Sequence, residues 1–311
     1  MNPLLGWIAP EERTTEQKRD HDEFVARSVA FALARQQLAK GQKIILTDFL
    51  KKPEVIEDMG AEFTGFRQLT GSCVGVSTGN VIATLSAVQR MIADSPTKAL
   101  IPWWPFAYGM SRALSGIRGR GEGSITSRML RTLMDYGVDD QQYDFDQRDG
   151  FAIPLQTELE WSDGNGTAVR SRIEHAKQFP VGSVAVLRTV DEIAANLQNG
   201  YPVLNGHRYY PGSTARVVQG IPLGRYDTRG GHATSFLGIQ EHESLGTLFL
   251  YVNQWPGSTY KTTPDMPRCS IWMPESEVER MMRSNEVGET MGVSNFNYFP
   301  AQPKLLDWSR I

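Results

Sequence analysis

Residues 68–92 read QLTGSCVGVSTGNVIATLSAVQRMI, and the reading of this stretch decides the fold. After Cys73, the residues Val81, Ile82, Leu85, Val88 and Ile92 recur at helical spacing, and Pro96 and Pro102 close the segment. Gly71 and Ser72 stand just before that apolar face, which puts Cys73 at the first turn of the predicted helix. A thiol attacks only as thiolate, and a helix N-terminus favours the anion through its exposed N–H groups and the helix dipole. The competing reading of a lone cysteine is a small buried hydrophobe, so other residues must decide.

Gln68, five residues upstream, is close enough for its side-chain amide to meet the backbone N–H of Cys73. Two such donors make an oxyanion hole for acyl transfer. His232 follows Gly230-Gly231 and leads into an apolar strand, a setting that presents an imidazole at a cleft edge. Of the other histidines, only His207 rivals it, since His21, His175 and His242 fall in polar helices or a turn. Asn253 ends the predicted strand 248–252 and is followed by Gln254 and Trp255. An asparagine carbonyl can fix an imidazole's tautomer and ring plane, and a neighbouring tryptophan can shield that bond from water.

Around these residues the chain divides into a helical half and a mainly β half, separated near 150–160. Residues 12–40 have apolar positions at helical spacing, from Phe24 to Leu38. They predict a helix lying on the main body or, alternatively, a docking arm or propeptide. A second helix is expected over 124–136, stopped by Gly137, and an acidic, turn-rich passage over 139–149. The β half begins with 181–187, then a short helix over 189–199, then strands at 201–204, 233–239 and 248–255. From Val287 the sequence, rich in Asn, Pro and aromatics, reads as an extended tail.

Composition narrows the classes. A chain of 311 residues with 40% hydrophobic and 22% charged residues should be mostly folded, and its net charge of −3 offers no basic excess for nucleic acid. The N-terminus lacks a basic leader region, and no long apolar run predicts a membrane span. Only two cysteines, Cys73 and Cys269, argue against a disulfide-stapled secreted domain and for a reducing, cytoplasmic setting. The glycines of 116–123 lack the strand and Gly-Lys-Ser/Thr of a phosphate loop. The acidic Asp144, Asp146 and Asp149 lack the register of a calcium loop, and no zinc-ligand spacing occurs, so no metal or cofactor is expected. Trp103-Trp104-Pro105-Phe106 is read as a buried aromatic cluster.

In order, a glutamine, a cysteine at a helix start, Gly-Gly-His at a strand start and Asn-x-Trp at a later strand end resemble the papain family of cysteine peptidases, in the divergent form seen in bacteria and their viruses. The resemblance spans roughly residues 60–285. Gly119–Gly123, ahead of a helix ending in Asp135-Tyr136-Gly137-Val138, resembles the family's glycine-rich cleft wall. The resemblance implies an α+β, papain-like two-lobe fold. Its helical left lobe (about 60–155) would face a β-barrel right lobe (about 156–286) across a cleft, with an N-terminal arm and helix (1–59) and a C-terminal tail (287–311). It implies Cys73 as nucleophile, His232 as base and acid, Asn253 as its orienting residue, Gln68 in the oxyanion hole, and Gly121, Gly123 and Trp255 as substrate-binding residues.

The sequence also departs from the family pattern. Val74 stands where a tryptophan usually follows the nucleophile, and Gln68 is one residue closer to the cysteine than usual. The continuation after Asn253-Gln254-Trp255 is reduced, and the family's framework disulfides and propeptide pattern are absent. His232 lies 159 positions after Cys73, beyond the spacing of about 130–150 in papain itself. Two functions follow: a peptidase acting on protein or peptide substrates, or an assembly component, such as a bacteriophage virion protein, that clasps homo- or hetero-oligomeric neighbours through its terminal arms.

Overall fold

A computed structural model describes residues 6–30, 34–92, 97–119, 121–140, 151–212, 216–255, 260 and 266–296. Helix α1 (Thr15–Arg27) begins with a reciprocal capping pair, Thr14 and Gln17. The helix expected to continue toward residue 40 ends at Arg27 instead. Ser28 turns extended, and the chain enters β1 (Val29–Ala30), which pairs in parallel with β3 (Val181–Val186). Strand β2 (Lys43–Ile45) pairs with the long strand β7 (Tyr226–His242). The first 59 residues are therefore not an appended arm, because they supply two strands to the main sheet.

After α2 (Pro53–Met59) comes the central helix α3 (Cys73–Ile92), where every residue from Cys73 to Gln89 is buried. A helix apolar or small on all sides must be enclosed on all sides. It packs on β7, on the 3-10 turn Leu46–Lys51, and on α4 (Trp104–Leu114) and α5 (Thr126–Tyr136). Trp103, Trp104 and Phe106 are buried as read from the sequence, and Gly137 caps α5 with positive φ. Three short helices, α6 (Leu155–Trp161), α7 (Thr167–Arg170) and α8 (Ile173–Ala176), extend the helical part past residue 155, so the β part starts only at β3. Helix α9 (Val190–Gln198) carries the Thr189/Glu192 capping box.

Strands β4 (Val203–Pro211), β5 (Arg216–Val218), β6 (Ile221–Leu223), β7, β8 (Gly246–Val252) and β9 (Ser270–Pro274) follow, then α10 (Glu275–Ser284) and β10 (Thr290–Phe296). They form one ten-stranded sheet in the order β1-β3-β10-β4-β7-β8-β9-β6-β5, with β2 on β7. The expected barrel is thus described as a single sheet path with β1 and β5 at its ends.

The tail expected from residue 287 is corrected as well. Residues 290–296 form β10, antiparallel between β3 and β4, with Met291 and Val293 fully buried. Gly292 between those two apolar residues, and Ser294 and Asn295 after them, dilute the strand signal in the sequence. Residues 297–311, and the acidic passage 141–150 with its Asp144, Asp146 and Asp149, lie outside the described residues. Among the described residues no helix is long and apolar enough to cross a membrane.

Candidate active site

Cys73 is the first residue of α3 and is wholly buried. Burial pushes its thiol up to about 12, opposed by backbone N–H groups of Ala233, Gly6, Val74 and Cys73 itself. The contact with Ala233, one residue after His232, brings the thiol from the first half of the chain to the start of the apolar stretch in β7. Two side chains brace that junction. Ser77 donates its hydroxyl to the Ala233 carbonyl at 2.8 Å, and Gln254 Nε2 donates to the same carbonyl at 2.8 Å and to the Cys73 carbonyl at 3.4 Å.

His232 Nε2 donates to Asn253 Oδ1 at 2.9 Å, so the proton sits on Nε2 and Nδ1 carries a bare lone pair. Nδ1 has no hydrogen-bond partner among the described residues. The Trp255 ring stacks on the imidazole with centroids 4.7 Å apart and planes 25° from parallel, and Tyr210 closes edge-on against Trp255. Asn253 is itself held: its Oδ1 also accepts from the Gln254 backbone, and its Nδ2 donates to the Tyr260 hydroxyl. Burial lowers the imidazole to about 4, partly offset by the bond to Asn253. Thiol and imidazole are therefore both neutral in this closed arrangement.

The rival His207 lies opposite His232 on β4, bonded through Nε2 to the Thr234 hydroxyl at 2.9 Å. Burial, with His232 nearby, holds it well below its usual range. It is a core histidine of the sheet.

Gln68 is buried beside the site, but its Nε2 donates to the carbonyl of Thr70 at 2.6 Å, back onto its own loop. Beneath the loop, Glu158 is bonded to the hydroxyl of Thr70; burial raises its carboxyl, while the hydroxyls of Ser72 and Thr70 oppose the shift.

No family model matches the sequence, and no curated protein matches it. Solved structures do match. Xylellain, a cysteine protease from Xylella fastidiosa, superposes with a TM-score of 0.57 at 17% identity, covering 94% of this chain and 96% of that one. The fold is that of the papain-like cysteine proteases. The Amb a 11 cysteine protease of ragweed pollen in its proform (TM-score 0.53, 11% identity, 86% of this chain and 69% of that one) matches it too. So does digestive procathepsin L 3 of Tenebrio molitor (0.50, 12%, 88% and 79%).

The papain-like cleft of this chain is filled by its own N-terminal segment. Ser124 N–H donates to the Gly6 carbonyl at 2.9 Å, and Ile8 N–H donates to the Ser124 carbonyl at 2.9 Å, a parallel bridge centred on Trp7 and Ser124. Gly6 passes so close to the nucleophile loop that a Cβ on it would fall 1.5 Å from the Gly71 carbonyl oxygen. On the opposite wall, a Cβ on Gly231 would come within 2.6 Å of the Trp7 carbonyl oxygen. Residues 6–8 thus run between the Gly71 loop and the histidine strand.

The two predicted wall glycines separate. Gly123, at φ 89°, donates to the Gly71 carbonyl and abuts Gly6 and Ile8, so it lies on the cleft. Gly121 does not: its N–H is spent on the Ser162 hydroxyl, and it faces Arg112. Trp255 covers the imidazole. Arg112, almost fully buried, shapes the wall from behind through the carbonyls of Glu122 and Gly123 at 2.6 and 2.7 Å. Gly6, Trp7, Gln254 and Arg112 escaped the sequence reading because their roles come from contacts between distant segments. A trace existed only for Gln254, which adjoins Asn253.

Two groups among the described residues could cradle a cation. In His21, Glu286 and Glu289, Arg13 already pairs with Glu289 at 2.6 Å. The other is Asp139, Asp140 and His175. Arg172 already pairs with Asp139 at 2.7 Å, which supplies the charge a metal would bring.

Proposed function

We propose that the chain is a cysteine peptidase held in a closed, latent form. What supports this reading is a helix-start thiol that touches the backbone of Ala233, the residue after His232, together with an imidazole bonded through Nε2 to Asn253 whose Nδ1 has no partner among the described residues. Once residues 6–8 withdraw, water and substrate enter, and the desolvation that keeps both groups neutral is relieved. A proton then passes from Cys73 to His232 Nδ1, giving a thiolate–imidazolium pair. The thiolate attacks a peptide carbonyl, and the Cys73 N–H at the start of α3 receives the oxyanion, joined by Gln68 only if its amide leaves the Thr70 carbonyl. His232 protonates the leaving amine, then takes a proton from water that releases the acyl group. Asn253 keeps the ring aligned and Trp255 shields their bond.

The test is cleavage of casein and short peptides by the full chain carrying Gly6→Val. Any side chain at this position collides with the Gly71 carbonyl, and the substitution is expected to displace the segment. Turnover that disappears when Cys73→Ala is added is expected; no turnover above the Cys73→Ala background would remove the peptidase reading.

A further inference from the structure

The place of the proton on His232 is decided two side chains away from the ring. Which end of an amide is its oxygen, and which nitrogen of an imidazole holds the hydrogen, follow from the partners at each end. On the side of Asn253 away from the histidine lies Tyr260, a buried residue. Its hydroxyl meets Asn253 Nδ2 at 3.3 Å and the main-chain carbonyl of Pro211 at 3.0 Å. The Tyr260 ring packs edge-on against Tyr251 of β8, with centroids 6.4 Å apart.

Pro211 closes β4, the strand beside β7. Its carbonyl can only accept, so the phenol spends its single hydrogen there. Toward Asn253 the phenol oxygen is then an acceptor, and Nδ2 is the end of the amide that can face it. Oδ1 is left for His232, at 2.9 Å from Nε2. Since Oδ1 also only accepts, the imidazole hydrogen belongs on Nε2, and Nδ1 keeps the lone pair that a base for the thiol requires. The polarity of the whole chain, from Pro211 through Tyr260 and Asn253 to His232, is thus set at the Pro211 end. A reversed amide would put donor against donor at the Gln254 N–H, 2.8 Å from Oδ1, and acceptor against acceptor at Tyr260. The Gln254 N–H belongs to the adjoining residue and moves with Asn253, whereas Tyr260, seven residues further on, ties the amide to β4. The same strand end supports the pair a second time. Tyr210, just before Pro211, lies edge-on to His232 and to Trp255, with centroids 5.9 and 5.0 Å away.

We infer that Tyr260 is a positioning residue of this site: its hydroxyl, fixed by the Pro211 carbonyl, orients the Asn253 amide and thereby keeps His232 in the Nε2–H form that can take the Cys73 proton. The inference rests on the peptidase reading of the same site, but the tautomer is read without turnover.

Histidine labelled in both ring nitrogens is incorporated into the native chain, and long-range nitrogen–proton spectra are recorded at pH 7, with His232 assigned by its absence from His232→Ala. The native ring is expected in the Nε2–H form alone, and the Asn253 Nδ2 protons should show Overhauser contacts to the Tyr260 ring. In Tyr260→Phe the shifts of the two ring nitrogens should converge as the Nδ1–H form enters. Within the Gly6→Val chain, Tyr260→Phe should lower kcat about five- to tenfold and leave KM within about twofold. Added to Asn253→Ala, the same change should cost less than about twofold, because the amide through which Tyr260 acts is gone. A native Nδ1–H form, Nδ2 protons that contact His232 instead of Tyr260, a spectrum unaltered by Tyr260→Phe, or losses that simply multiply with Asn253→Ala overturn the inference. The native spectrum decides it even where Tyr260→Phe does not fold. The expected tautomer change beside a Gly6→Val chain that cleaves nothing would uphold the role of Tyr260 and remove only the peptidase.

Discussion

The two flanks of the cleft are built differently. On the sheet side, His232 lies in β7 and Asn253 directly follows β8, the neighbouring strand whose ladder sets their separation, and Gln254, Trp255 and Tyr260 hold them by several independent bonds. On the helical side, the Gln68–Gly71 loop has no sheet to set it. It is held by a single main-chain bond to the sheet side, Gln68 N–H on the Gln254 carbonyl at 2.7 Å, by a bond within itself, by Gly123, by Glu158 below and by the chain's own N-terminal segment above. A residue in a sheet inherits its position from many partners, whereas a loop residue depends on loop length. Hence the histidine and asparagine meet as the motif implies, while Gln68, one residue short, turns its amide to Thr70.

Substitutions on the two flanks should therefore differ in size. Within the open Gly6→Val chain, His232→Ala is expected to cost the most, roughly a thousandfold or more in kcat/KM, since it removes both proton transfers. A loss under tenfold would mean that another group moves the proton. Asn253→Ala should follow at roughly ten- to a hundredfold, carried by kcat, because the ring loses its orientation while substrate contacts persist. Gln68→Ala should cost the least, under about tenfold, in contrast to the hundred- to thousandfold of a preorganised oxyanion donor. A hundredfold loss there would show that the amide swings into the site when substrate binds, and the contrast between the flanks would vanish.

The same difference explains what was legible in the sequence. Cys73, His232 and Asn253 stand where local patterns change, at a helix start, at the entry to an apolar strand and at a strand end, and such changes can be read in a single chain. Gly123 could be placed on the cleft because a glycine-rich stretch precedes a helix, but Gly121 in that stretch could not be told apart from it, since Arg112 and Ser162 decide which glycine faces outward. Strand β10 was hidden by its own glycine, serine and asparagine, and only its place between β3 and β4 makes it a strand. Gly6 and Trp7 carry no local pattern at all. Their meaning arises from a wall more than a hundred residues away in the chain.

Withdrawal of residues 6–8 is the step on which the account turns, and the alkylation rate of Cys73 measures it most directly. Iodoacetamide labelling of Cys73, read by peptide mass from pH 6 to 10, is compared between the native chain and Gly6→Val. With the thiol pushed up to about 12, the native chain should label slowly and ever faster as pH rises, because thiolate forms only at the alkaline end. Gly6→Val should label at least about tenfold faster at pH 7, with a rate that levels off through neutrality as the imidazolium-paired thiolate becomes the resting form. Identical profiles in the two chains, or a Gly6→Val profile that climbs like an ordinary thiol, would contradict the account.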